Sequence, residues 1–205
     1  MSNLISLQND NPSVVQDEWT WVKLPEVQVE ARKQAGKVVL FKLTGENSVS
    51  ASQIADTVIP ASGKIILPLR VFIERHSEIA NRVAQSEVGV WLATHESLDD
   101  LLKNQNDINE LPIVAIFVER FADGRIFSLG NLLRSRYGFK NELRAFGDVL
   151  RDQLFFLKRS GFNSFAVRAD RSAKDAIAGL HDFSRPYQGA VDDARPAFNR
   201  YHRGT

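Results

Sequence analysis

Short, unbroken apolar runs alternate along this chain with longer stretches in which apolar residues return every third or fourth position. Residues 112–118 (PIVAIFV) form the clearest run, of the kind covered on both faces in a parallel sheet. Residues 37–43 (KVVLFKL, closed by Thr44 and Gly45), 64–67, Val88–Ala93, 142–146 and 164–167 read as further strands. Trp19 and Trp21 alternate around Thr20, which predicts one short strand or edge segment in an otherwise weakly periodic start.

Helical spacing fills the gaps. Over residues 70–85, Phe72, Ile73, Ile79, Ala80, Val83 and Ala84 fall on one arc, with His76 at its centre, expected as a satisfied core histidine. Ser97 is placed to cap a short helix over 98–103, with Asp99 and Asp100 in its first turn, and polar residues 104–110 form the return loop. After the loop FADGR, Ser128 is placed to cap a helix running to Tyr137 and ended by Gly138. Asp148 is placed to cap the next, ending near Gly161, and Ser172 with Asp175 makes a capping box for a last short helix.

Strands separated by helices predict an α/β fold of alternating βα units with a mainly parallel sheet. An open three-layer sheet and a partial barrel both satisfy this alternation. The expected organisation is an irregular N-terminal segment over 1–36, an α/β domain over 37–182, and a tail over 183–205 that is rich in Pro, Gly and Arg, or else a partner-dependent arm.

Composition narrows the function classes. With 205 residues, 43% hydrophobic, the chain suffices for one domain with tails. Its 26 basic and 25 acidic residues supply no general field for gripping nucleic acid or an anionic membrane. The absence of cysteine removes disulfides, thiolate metal sites and thiol redox chemistry. No basic head with an apolar run opens the chain and no apolar window is long enough to span a bilayer, so the expectation is a soluble, cytoplasmic protein. No metal set, phosphate-binding glycine loop, nucleophile elbow or zinc-binding His-Glu helix is present in the sequence, and neither cofactor nor catalytic residues can be named.

Several polar residues occupy apolar places. Gln153 falls near the middle of an arc made by Val149, Leu150, Leu154, Phe156 and Leu157, so its buried amide is either a bracket for a backbone loop or a ligand contact. Phe155 falls on the opposite, charged side, either as an ordinary exposed residue or as the mark of a partner surface. Arg136 projects between Leu129, Leu132, Leu133 and Tyr137, and is expected to pair with Asp148 or Asp152 or to carry its head out to solvent.

In a parallel sheet the loops leaving the carboxyl ends of neighbouring strands converge on one edge, where ligands bind. Here those loops carry Asp123, Gly124, Arg125 and Ser128, then Gly147 and Asp148, then Arg168 and Asp170. Helix N-termini beginning at Ser128 and Asp148 favour an anion, and Arg125 has the fork to hold one. The alternative is a closed network in which Asp123, Asp148 and Asp170 pair with Arg125, Arg144 and Arg168. The ligand-binding candidates are thus Asp123, Gly124, Arg125, Ser128, Arg136, Arg144, Asp148, Gln153 and Arg168.

The run FADGR…S…LLRSRYGF..ELRAFGDVLRDQLFFLKRSGF..F resembles the bacterial family known as domain of unknown function nine hundred thirty-four. The likeness is strong over residues 112–168 and weaker at 67–70 (LPLR), Val88–Ala93 and Tyr187-Gln188. Family members are described as probable oxidoreductases of sulfite reduction, encoded beside the assimilatory sulfite reductase. The resemblance therefore implies a role in sulfur assimilation, either as an accessory protein acting with sulfite reductase or as an oxidoreductase. A cofactor- or anion-binding enzyme of sulfur metabolism and a non-catalytic binding module are the alternatives. Many relatives carry cysteine where this chain has Ser160, and lysine where it has Arg120, so the resemblance carries no thiol mechanism over.

Overall fold

The structure, a computed structural model, describes residues 3–25, 49–105, 107–184 and 186–200. The strand expected over 37–43 lies outside the described residues. Eight strands form one sheet: β1 (Leu4–Gln8), β2 (Asn11–Val15), β3 (Thr20–Trp21), β4 (Ile65–Pro68), β5 (Val88–Ala93), β6 (Ile113–Val118), β7 (Glu142–Gly147) and β8 (Ser164–Ala166). Their spatial order is β2-β1-β8-β7-β6-β5-β4-β3, parallel from β3 to β8, with β1 antiparallel to both β8 and β2. The fold class is therefore α/β, as the alternation predicts. The N-terminal segment adds to its expected Trp19–Trp21 element a hairpin, turned at Asn9 and Asp10 with φ of 48° and 63°.

The order of the strands decides between an open sheet and a barrel. β2 and β3 lie at opposite edges, yet the chain joins them through residues 16–19 alone. Five residue steps reach ~17 Å, whereas seven inter-strand spacings in a flat sheet come to about 34 Å. The sheet must curl into a partial barrel for the connector to close.

Sequential parallel neighbours with right-handed crossovers place the helices on one side of the sheet. These are α1 (Ala51–Asp56), α2 (Leu69–Glu74), α3 (His76–Ala84), α4 (Leu98–Asn104), α5 (Arg125–Asn131), α6 (Leu154–Arg159) and α7 (Ala173–Ala176). Alternation along each strand divides the apolar residues accordingly. Leu67, Val90, Leu92, Val114, Ile116, Leu143 and Phe165 pack outward against Phe72, Leu101, Ile126, Leu133 and Leu157. Ile66, Ile113 and Ala115 point inward, under Trp19, Trp21, Trp91 and Phe146.

The helix expected over 70–85 is two helices, divided at Arg75, whose guanidinium holds the Thr57 carbonyl at 2.6 Å and Glu78 at 2.7 Å. His76, expected to be satisfied, is half-buried and edge-on to Phe72, and its Nδ1 is buried without a hydrogen-bond partner among the described residues. Ser97 and Ser172 do cap, accepting from the Asp99 and Asp175 amides.

Two departures from ideal helix pitch move side chains from their expected places. Residues 132–136 form a π-helical turn, which advances less per residue than an α-helix. Arg134, not Arg136, is thereby turned inward, donating to the carbonyls of Gly161 (2.8 Å), Phe139 (2.6 Å) and Asn141 (2.9 Å). Burial pushes its pKa down to about 10. Arg136 is exposed and lies over Tyr137 instead of pairing with Asp148 or Asp152. Similarly, α6 begins with a tight 3-10 turn at Arg151–Gln153, which advances its phase. Phe155 is consequently buried, at 7% exposure, and Phe156 stands out at 49%, the reverse of the expectation from a uniform 100° per residue.

The C-terminal segment has little regular structure but is seated on α6. Phe183 packs on Phe155 with centroids 4.9 Å apart, and Arg159 donates to the Gln188 carbonyl and pairs with Asp192 at 3.4 Å.

Candidate functional site

β6, β7 and β8 are parallel neighbours, with Val118 opposite Gly147 and Arg144 opposite Ser164, so the loops that follow them leave from one edge. Gly147 makes the turn possible. Its φ of +100° suits glycine, and a Cβ there would stand 2.3 Å from the Val118 carbonyl oxygen. The Asp148 amide donates to that same oxygen at 2.8 Å, which aims the Asp148 side chain along the rim.

Asp148 does not cap a helix. One carboxylate oxygen accepts from the Phe121 amide at 2.9 Å and the other from Arg168 Nη1 at 2.8 Å, tying the three loops together. Arg168 continues to Asp170 through two bonds of 2.6 and 3.0 Å. These carboxylates raise the pKa of Arg168, and Arg168 in turn lowers that of Asp170. Gln153 is buried, as expected, and serves as a bracket: its Nε2 donates to the Phe121 carbonyl at 3.0 Å and its Oε1 accepts from the Leu150 amide at 3.1 Å.

Asp123 forms a second knot. It accepts from the Arg125 amide at 3.1 Å, from Arg125 Nε at 2.9 Å and Nη2 at 2.7 Å, and from the Thr94 hydroxyl at the end of β5. The Arg125 guanidinium foremost, with Thr94 assisting, holds the Asp123 carboxyl down to about 2. Gly124 is the residue from which α5 starts, so Ser128 lies inside that helix and is not its cap. Arg144 is not on the rim at all. It sits within β7, 2% exposed, and points into the curl, where it pairs with Asp17 at 2.9 Å and Glu142 at 2.8 Å.

The structure thus brings Asp123, Gly124, Arg125, Asp148, Gln153 and Arg168 to one rim and leaves Ser128, Arg136 and Arg144 apart from it. At the rim, charge is matched by charge, in the closed pattern that the sequence offered as the alternative, with Arg144 replaced as a member by backbone donors. Beside it lies a cleft of about 500 Å³ lined by Asp152, Asp170, Asp175 and Asp182 together with Arg151 and Arg171. Four carboxylates against two guanidinium groups make this cleft unfavourable to an anion. Among the described residues no cluster of His, Asp and Glu suits a metal ion.

Inside the curl, near the same strand ends, is a feature that residue-by-residue reading missed. Trp91, Phe117 and Phe146 stand on three adjacent strands and touch one another, with centroid separations of 5.2 to 6.1 Å, and Trp21 lies 4.3 Å from Phe146. All four rings are half-buried. The usable signal was a large aromatic residue near the end of each strand, on the parity opposite to the helix-facing positions.

Fold and site together define a partial-barrel α/β protein with a self-paired ionic rim over an aromatic interior. The chain belongs to the family described as "Bacterial protein of unknown function (DUF934)", whose model matches residues 89–198. No curated protein and no solved structure matches the chain.

Proposed function

We propose that this chain is an accessory protein of assimilatory sulfite reduction that works in the cytoplasm by binding sulfite reductase. The partner and pathway come from the family resemblance. The observation that carries the accessory role is chemical: the charged groups at the strand ends, where α/β enzymes hold their catalytic groups, are engaged with one another. The Asp123 carboxyl, held down to about 2 by Arg125 and Thr94, stays ionised and saturated by fixed donors near neutral pH, which leaves it poorly suited to act as an acid or base. No helix among the described residues is long and apolar enough to cross a membrane. Affinity co-purification with sulfite reductase tests it. Binding, with altered sulfite turnover, is expected; a purified pair that neither associates nor changes turnover overturns it.

One observation favours a second reading, an oxidoreductase with a bound flavin or similar planar cofactor. Trp91, Phe117 and Phe146 present half-exposed rings at the strand ends, and such rings stack on planar ligands. The visible spectrum of freshly purified protein separates the two, since a bound flavin colours the protein through the cofactor's own ring system. A colourless protein whose melting temperature ignores flavins and nicotinamides excludes this reading and leaves a binding module.

A further inference from the structure

Phe121 stands at the tip of the loop between β6 and α5, its ring 42% exposed. The Asp123 amide donates to the Arg120 carbonyl at 2.9 Å and closes a turn with Phe121 and Ala122 at its apex. Single exposed apolar residues are ordinary on a protein surface. The way this one is held sets it apart.

Both main-chain groups of Phe121 are gripped by side chains from other elements, the amide by Asp148 at 2.9 Å and the carbonyl by Gln153 at 3.0 Å. Each of these is itself fixed, Asp148 by Arg168 and Gln153 by the Leu150 amide. Beyond the turn, Asp123 is locked by Arg125 and by the Thr94 hydroxyl. Three brackets therefore converge on a loop tip whose ring belongs to neither core cluster. Such a ring loses little freedom when another protein closes over it, because its backbone is already fixed and phenylalanine has few side-chain torsions to freeze. Aromatic side chains presented in this way act as anchors at the centres of protein interfaces.

The neighbouring charges define what the partner must offer. Asp123 with Arg125, and Asp148 and Asp170 with Arg168, are engaged with one another. Glu119 bears on Arg125, whose pKa it helps to raise. Arg120, directly before Phe121, is exposed and its side chain forms no ion pair among the described residues. We propose that Phe121 and Arg120 are the docking knob through which this chain binds its protein partner, the ring entering an apolar pocket whose lip carries a carboxylate for Arg120. This rests on the accessory reading above and names the surface that the reading requires.

The test is association of the full-length chain with sulfite reductase holoenzyme, followed by biolayer interferometry at two ionic strengths. Phe121→Ser removes the ring but leaves both backbone brackets, so the melting temperature should hold while Kd rises about tenfold or more. Arg120→Glu should raise Kd about fivefold, chiefly through slower association, and should lessen the salt dependence of the association rate. Val58 is 82% exposed and precedes β4, at the opposite ends of the strands, so Val58→Ser should bind as the wild type does. Unchanged affinity in Phe121→Ser or Arg120→Glu, or an equal loss in Val58→Ser, overturns this surface and leaves the accessory reading standing. No association of the wild-type chain overturns both.

Discussion

Arg144 in β7 and Asp17 in the connector to β3 are 127 residues apart in sequence and meet at 2.9 Å inside the curled sheet. Trp21 completes the clasp, donating its indole N–H to the same carboxylate oxygen, Asp17 Oδ2 (2.8 Å), that accepts from Arg144, while the guanidinium lies 5.6 Å from the centre of its ring. This contact is what holds the four-residue connector across the interior.

Arg144→Met therefore leaves the Asp17 and Glu142 carboxylates without their cation in a largely enclosed place. We expect a loss of about 3 kcal/mol in urea unfolding, and a smaller loss in the double variant with Asp17→Asn, because that variant leaves one carboxylate, Glu142, without its cation rather than two. Equal losses for the single and double variants would mean that the clasp does not couple these residues.

Gly147→Ala is expected to destabilise by more than about 1 kcal/mol. The left-handed backbone disfavours a side chain, and the new methyl meets the Val118 carbonyl oxygen at 2.3 Å, an atom of the sheet that cannot rotate away. Gly124→Ala, with open space at its Cβ and an ordinary negative φ, is the matched control and should change stability little.

Acid should weaken the rim. Asp123 has a folded pKa of about 2, below the ordinary carboxylate value near ~3.9, so its contribution is complete above that ordinary value and is lost as pH falls through the folded one. Asp170 is lowered in the same direction by Arg168. Unfolding free energy measured between pH 5 and 2 should fall in the wild type, and Asp123→Asn should flatten that dependence while lowering stability at pH 7.

Gln153→Leu keeps the volume but leaves the Phe121 carbonyl and the Leu150 amide without the bonds that bracket them. A cost of about 2 kcal/mol is expected, with faster amide hydrogen exchange around Phe121 and Leu150. Unchanged exchange at both would remove the bracket role.

Arg159→Met should release the C-terminal segment, since the guanidinium holds the Gln188 carbonyl and Asp192. Limited proteolysis is expected to cut between 184 and 196 faster in this variant, while the rest of the chain stays protected.

Much of this architecture was legible from pattern. The unbroken run 112–118, the apolar segments 64–67, Val88–Ala93, 142–146 and 164–167, and the Ser97 and Ser172 caps are local signals, and each of these elements stands where they put it. Gln153 was legible as an inward amide because any helix-like turn after Leu150 buries it. Arg136 and Phe155 were misplaced for a shared reason: each position was deduced from a uniform helical advance, and a π turn and a 3-10 turn shift the phase; Ser128 was read as a cap from its residue type, whereas α5 starts earlier, at Arg125. Such shifts arise from tertiary packing, which periodicity does not contain.

By itself the sequence determined the alternation of strands and helices, the residues that cluster at the strand ends, and the absence of thiol chemistry, because these depend on side-chain type and near-neighbour spacing. Tertiary structure alone decided that the sheet curls, that Arg144 belongs to its interior, that Trp91, Phe117 and Phe146 form one surface, and that the rim charges neutralise one another. Those outcomes depend on which strands become neighbours and in what register, a choice made by contacts between residues far apart in the chain.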